Sequence, residues 1–187
     1  MKFLVVGLGN PGEEYSGTRH NIGFSILNNF ALCFNVSFKT CRYGEIAELK
    51  YKGRKLYLLK PSTFMNLSGK AVNYWINELK LKLENTLIVN DDISIPFGVL
   101  RMRKKGSDGG HNGLKDINNV LQTQQYPRLR FGIGNNYSIG KQSEFVLGKF
   151  NDDEKQALEE RVNMAIKMIQ SFTTIGINFT MTQYNGK

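Results

Sequence analysis

A chain of 187 residues, 41% hydrophobic and 11% aromatic, is long enough for one domain with a substantial core. Its 25 Lys and Arg against 16 Asp and Glu leave a net charge of +9, which points to a polyanionic partner, nucleic acid ahead of a membrane surface. Two cysteines, Cys33 and Cys41, exclude a disulfide framework, no apolar stretch reaches membrane length, and no repeat appears.

Lys2–Val6 is short, apolar and β-branched, so it reads as a buried strand rather than a signal-peptide core. Gly7, Gly9, Pro11 and Gly12 end it, and a helix with core spacing follows through Ile22, Ile26, Leu27, Phe30, Ala31 and Phe34. Glu45–Tyr51 and Lys55–Lys60 read as a hairpin across Lys52-Gly53-Arg54. Ser62–Gly69 is a polar strand-exit loop before a helix with Ala71, Val72, Trp75, Ile76 and Leu79 on one face. Thr86–Asn90 is a buried strand ending in Asp91-Asp92, and Pro96-Phe97-Gly98 turns the chain into the strand Val99–Arg103. A glycine-rich loop, 104–113, opens a helix marked by Leu114, Ile117, Val120 and Leu121. Arg128–Gly134 is a last strand, and Asn151 caps a long helix with acids in its first turn. Alternating strands and helices with one hairpin predict a single three-layer α/β domain over 1–187, a mixed sheet with helices on both faces.

Gly7-x-Gly9-x-x-Gly12 imitates a dinucleotide fingerprint. Pro11 sits where the helix should open, and no Asp or Glu occurs between Tyr15 and Gly44 to hold a ribose. The glycines are therefore expected to form a tight strand exit, without a nicotinamide or flavin.

Polar residues gather instead at strand exits: Asn10 and His20, then Asn66, then Asp91, with Asn112 in the glycine loop. Only His20 and His111 are available as a base near neutral pH, and both sit in polar, Gly-flanked segments. Asp91 is the natural carboxylate partner, although Asp91 or Asp92 would equally serve as a turn cap. Two histidines without paired ligands make a poor zinc site, and neither a G-x-S-x-G elbow nor a phosphate loop is present. Base-assisted attack of water on an activated carbonyl remains, with asparagines polarising the oxygen. Between residues 98 and 130 lie seven basic residues (Arg101, Arg103, Lys104, Lys105, Lys115, Arg128, Arg130) and two acids (Asp108, Asp116). Alternation puts Arg101 with Arg103, and Arg128 with Arg130, on shared faces suited to phosphate.

Five segments resemble the bacterial peptidyl-tRNA hydrolase family: Val-Gly-Leu-Gly-Asn-Pro-Gly with Tyr15 and Thr-Arg-His-Asn; Lys-Pro-Ser-Thr-Phe-Met-Asn-Leu-Ser-Gly-Lys-Ala; Asn-Asp-Asp-Ile-Ser-Ile-Pro-Phe-Gly; Gly-Gly-His-Asn-Gly-Leu-Lys; and Arg-Leu-Arg-Phe-Gly-Ile-Gly. The resemblance implies a monomeric cytoplasmic enzyme without metal or cofactor. Such an enzyme cleaves the ester between a peptide and the 3′-terminal ribose of tRNA. By position, it implies His20 as base, Asp91 as its orienting carboxylate and Asn10 as part of the catalytic set. Asn66, Asn112 and His111 would position substrate and water, Tyr15 and Phe64 would touch the substrate end, and Arg103 and Arg130 would hold the tRNA 5′-phosphate. Ser94 stands where many members have Asp, and Asp108 where a small residue is usual. With Asp91 as the one carboxylate placed in the site, an unblocked amine would find no anionic partner, so blocked substrates should be preferred. The alternative is a non-catalytic RNA-binding factor of the same fold.

Overall fold

The computed structural model describes residues 1–186. One seven-stranded sheet runs through it, formed by β1 (Lys2–Gly7), β2 (Lys39–Cys41), β3 (Gly44–Tyr51), β4 (Arg54–Pro61), β5 (Thr86–Asp92), β6 (Leu100–Arg103) and β7 (Arg128–Gly132). Their spatial order is β2-β3-β4-β1-β5-β7-β6. The central strands β4, β1, β5 and β7 are parallel, while β2, β3 and β6 pair antiparallel at the two edges. The mixed sheet is therefore as expected.

Both faces are covered. Phe3 and Val5 of β1 pack with α1 (Ile22–Cys33) and α5 (Asp152–Ile175) on one face. Leu4 and Val6 pack with α2 (Ser68–Glu78) and α3 (Asn112–Leu121) on the other. Alternating side chains of one strand thus feed two cores, the signature of a sheet buried on both faces. Two short helices complete the set, α4 (Gln142–Val146) and α6 (Ile177–Tyr184). Among the described residues no helix is long and apolar enough to cross a membrane.

Local chemistry accounts for the boundaries. The hairpin turn is Lys52-Gly53, with φ of 44° and 75°, and Arg54 already belongs to β4. Two left-handed residues give the primed turn that matches strand twist, so the expected three-residue connection shortens by one. Asn151 accepts from the Glu154 amide at 2.8 Å, and Glu154 Oε2 accepts from the Asn151 amide at 2.8 Å. That reciprocal capping box starts α5 where its acids predicted. The loop expected over Ser62–Gly69 gives way earlier, since α2 begins at Ser68. Val120, expected on the buried face of α3, is exposed. The strands β2 and the helices α4 and α6 were not expected: three and five residues are too few to show a period, and α6 is set off only by Gly176.

Candidate active site

The parallel strands all end at one edge, and β1 there has β4 on one side and β5 on the other. Loops leaving β1, β4 and β5 meet at this edge, the usual ligand position of an open α/β sheet. The glycines at the end of β1 serve packing. A Cβ on Gly7 would run into the Gly23 carbonyl oxygen, and one on Gly9 would lie 2.8 Å from the Phe24 ring. They let the strand exit press against α1, which brings the turn Arg19–Asn21, and His20 with it, to the end of β5.

Asp91 is the hub. His20 Nδ1 lies 2.9 Å from Asp91 Oδ1 and 3.0 Å from Oδ2, and His111 Nε2 lies 2.9 Å from the same Oδ1. Burial alone would raise the Asp91 carboxyl, but the neighbouring imidazoles of His111 and His20 hold it well below the ordinary carboxylate range. It is an ionised acceptor here, not the turn cap that its position allowed. Asp92 takes that role, its Oδ1 accepting from the Ser94 amide at 2.9 Å.

The proton positions follow from donors that cannot be reversed. His111 Nδ1 accepts from the backbone amides of Gly113 and Leu114 at 3.1 and 3.3 Å, capping α3. Its proton is therefore on Nε2 and is donated to Asp91. His20 likewise donates Nδ1–H to the carboxylate, which leaves the lone pair on its Nε2 without a partner among the described residues. His20, Asp91 and His111 each place a donor atom within 4.8 Å of the others. They do not fit a cation. Binding through His111 Nε2 would demand either an imidazolate or loss of the helix cap.

Asn10 is fixed by its own network. Its amide donates to Asn21 Oδ1 at 2.8 Å, its carbonyl accepts from Asn21 Nδ2 at 2.9 Å, and its Oδ1 accepts from the Met65 amide at 2.8 Å. Nδ2 is left free as a donor, while Oδ1 is oriented by the Met65 amide.

These groups line a cavity of about 570 Å³ together with Phe64, Asn66 and Asn112, a volume suited to a small ligand or the end of a large one. Asn10, His20, Phe64, Asn66, Asp91, His111 and Asn112, scattered along the sequence, are therefore brought together. Tyr15 is not among the lining residues. Gln142, Ser143, Val146 and Leu147 of α4 and its exit line it too, as does Ile93. Sequence reasoning missed them, since nothing in five residues of α4 marks them as a wall. Asp92 and Asp108 also line the cavity, which corrects the expectation of Asp91 as its one carboxylate.

The arginines separate into three kinds. Arg128, expected on a phosphate-binding face, is buried against the Tyr126 ring at 4.4 Å and donates to the Ser107 carbonyl at 2.7 Å. It braces the start of the glycine loop and offers nothing to a partner. Arg130 pairs with Asp92 at 2.6 Å and reaches Ser94 Oγ at 3.2 Å. Arg101 and Arg103 stand exposed on β6, with Leu100 and Met102 buried on the opposite face as the alternation predicted.

The family model described as peptidyl-tRNA hydrolase matches residues 4–187. The peptidyl-tRNA hydrolase of Phocaeicola vulgatus is 56% identical over the full length of both chains, and that of Bacteroides fragilis 54%. The solved peptidyl-tRNA hydrolase of Acinetobacter baumannii superposes with a TM-score of 0.92 at 33% identity, covering 98% of this chain and 94% of that one. A full-length match at this identity, on a fold whose strand exits converge on one polar cavity, leaves a single assignment: the chain belongs to the peptidyl-tRNA hydrolase family.

Proposed function

We propose that this enzyme hydrolyses the ester joining a peptide to the 3′-terminal ribose of tRNA, with His20 as general base. The observation that carries the assignment is the unpartnered His20 Nε2 beside a carboxylate that holds Nδ1–H. Water attacks the ester carbonyl carbon as His20 Nε2 takes its proton. Asp91 steadies the imidazolium without accepting the proton itself. Asparagine N–H groups lining the cavity donate to the carbonyl oxygen as it gains charge. Collapse then breaks the bond to the ribose oxygen, which takes the proton back from His20, releasing a peptide acid and free tRNA.

His111 has a different part from the substrate contact first expected. Both its ring nitrogens are engaged, so it positions Asp91 from the end of α3. Asn66 and Asn112, exposed at the cavity rim, hold water and substrate, and Phe64 offers an exposed ring to the terminal base. Tyr15 lies outside the lining of this cavity. The tRNA backbone meets the exposed edge strand β6, through Arg103 first, because Arg130 is already neutralised by Asp92. The chain works as a one-domain monomer in the cytoplasm, without metal or cofactor.

Incubation with N-acetyl-aminoacyl-tRNA, followed by assay for free tRNA, tests the proposal. Release that disappears in His20→Ala supports it. Binding without release would favour the non-catalytic RNA-binding alternative.

A further inference from the structure

Arg19 precedes His20 in the chain, yet its side chain points away from the His20–Asp91 pair. It is buried, with Nη2 2.7 Å from Glu154 Oε2 and its guanidinium carbon 4.3 Å from the centre of the Phe145 ring. Nη1 reaches the Phe145 carbonyl at 3.4 Å, and Phe150 lies 5.5 Å away. The Arg19 amide donates to the Gly148 carbonyl at 2.9 Å, and Thr18 forms an isolated bridge with Lys149. Glu154 Oε2 is also the oxygen that caps α5. Nε has no partner among the described residues, so the two Nη atoms and the ring stack set the orientation of the group.

One side chain therefore ties together the turn that carries His20, the helix α4 and the start of α5. Phe145 is followed directly by Val146 and Leu147, the apolar residues that this segment contributes to the cavity wall. We infer that Arg19 is a positioning residue: it sets the distance between that wall and His20, and through it the fit of the acyl side chain next to the scissile ester. A planar guanidinium that stacks on a ring and donates from two nitrogens fixes an orientation that an ammonium cannot. The inference rests on the proposed function, because it assumes that the cavity holds the acyl end.

The test compares Arg19→Lys with Glu154→Gln. The first keeps the charge and loses the stack and the fork. The second keeps the capping box, which accepts Gln, and weakens the ion pair. Each is assayed on N-acetyl-phenylalanyl-tRNA and N-acetyl-glycyl-tRNA. A wall misplaced by about 1 Å costs up to ~10²-fold. Arg19→Lys is therefore expected to lower kcat/KM roughly tenfold or more for the phenylalanyl substrate, mostly through KM, and much less for the glycyl one. Glu154→Gln should shift the same ratio in the same direction by less. The pH profile of kcat should not move, since Arg19 does not touch the His20–Asp91 pair. An unchanged phenylalanyl-to-glycyl ratio in either folded variant would overturn the inference, as would a ratio unchanged while both substrates lose activity equally. If Arg19→Lys does not fold, Glu154→Gln alone decides. Inactivity of the unaltered enzyme on both substrates would instead reject the proposed function.

Discussion

His111 and Asp91 are joined by a 2.9 Å hydrogen bond, on the same oxygen that His20 reaches from the other side. The bond connects the amino end of α3 to the buried carboxylate, because His111 spends its other nitrogen on the backbone of that helix. Two histidines that looked interchangeable in sequence therefore have different work.

His20→Ala should reduce hydrolysis by about 10²–10⁴ while tRNA binding and the melting temperature stay close to those of the parent. Single-turnover rates and a binding isotherm check this. A small loss in His20→Ala beside a large one in His111→Ala would exchange the two roles.

His111→Asn separates capping from positioning. Asn is a good N-cap, so it should restore the roughly 1 kcal/mol of stability that His111→Ala forfeits. It cannot present a donor to Asp91 from the ring position, so the rate should stay low in both variants. Thermal melts and kcat, measured together, decide. Full activity in His111→Asn would mean that the bond to Asp91 is incidental.

Much of this was legible beforehand, for identifiable reasons. The strand Lys2–Gly7 announced itself by its unbroken apolar run, and α5 by Asn151 and three following acids. The convergence of Asn10, His20, Asn66, Asp91 and Asn112 followed from their places at strand exits. The cap made by His111 was not legible, because imidazole is an uncommon capping group and its second bond depends on tertiary contact. Arg128 was misplaced for a related reason. Its strand β7 lies between β5 and β6 and is covered on both faces, so alternation no longer sorts charged from apolar positions. The wall from α4 left no periodic trace at all.

Tyr126 carries a stability signature at high pH. Burial pushes its phenol up to about 12, only partly offset by the Arg128 cation, and its hydroxyl donates to Asn118 Oδ1 at 2.7 Å. The folded value lies above the unfolded one of about 10, so its contribution is complete below pH ~10 and lost as pH rises toward 12. Chemical denaturation at pH 9 and 11.5 should show a steeper loss for the parent than for Tyr126→Phe. Equal losses would place the phenolate in water in the folded state.

Arg103→Ala and Arg130→Ala should differ. Removing Arg103 deletes an exposed cation, so the log–log salt slope of tRNA binding should flatten by roughly one unit with kcat unchanged. Removing Arg130 also leaves Asp92 unpaired at the cavity, which costs stability and adds negative charge near the substrate. Its effect should reach kcat as well as KM. Identical slopes for Arg103→Ala and the parent would remove Arg103 from the RNA contact.

Discrimination between blocked and free amines now has a sharper basis than the absence of carboxylates. Asp92 is committed to Arg130, while Asp108 accepts from the Gly110 amide at 2.9 Å and remains a cavity anion that would attract an ammonium. We assign the preference for a blocked substrate to Asn10. Its oxygen is oriented by the Met65 amide, and its Nδ2 donor has no partner among the described residues. A donor meets the carbonyl oxygen of a blocked residue favourably and an ammonium unfavourably, since the ammonium is also only a donor. The ratio of kcat/KM for N-acetyl-phenylalanyl-tRNA over phenylalanyl-tRNA should therefore be large. Asn10→Asp should narrow it, because one carboxylate oxygen keeps the Met65 contact and the other replaces the donor with an anion. Asp108→Asn should widen it, by removing the charge that favours the free amine. A ratio near one in the parent enzyme, or a ratio that Asn10→Asp leaves untouched, would take the selectivity away from Asn10.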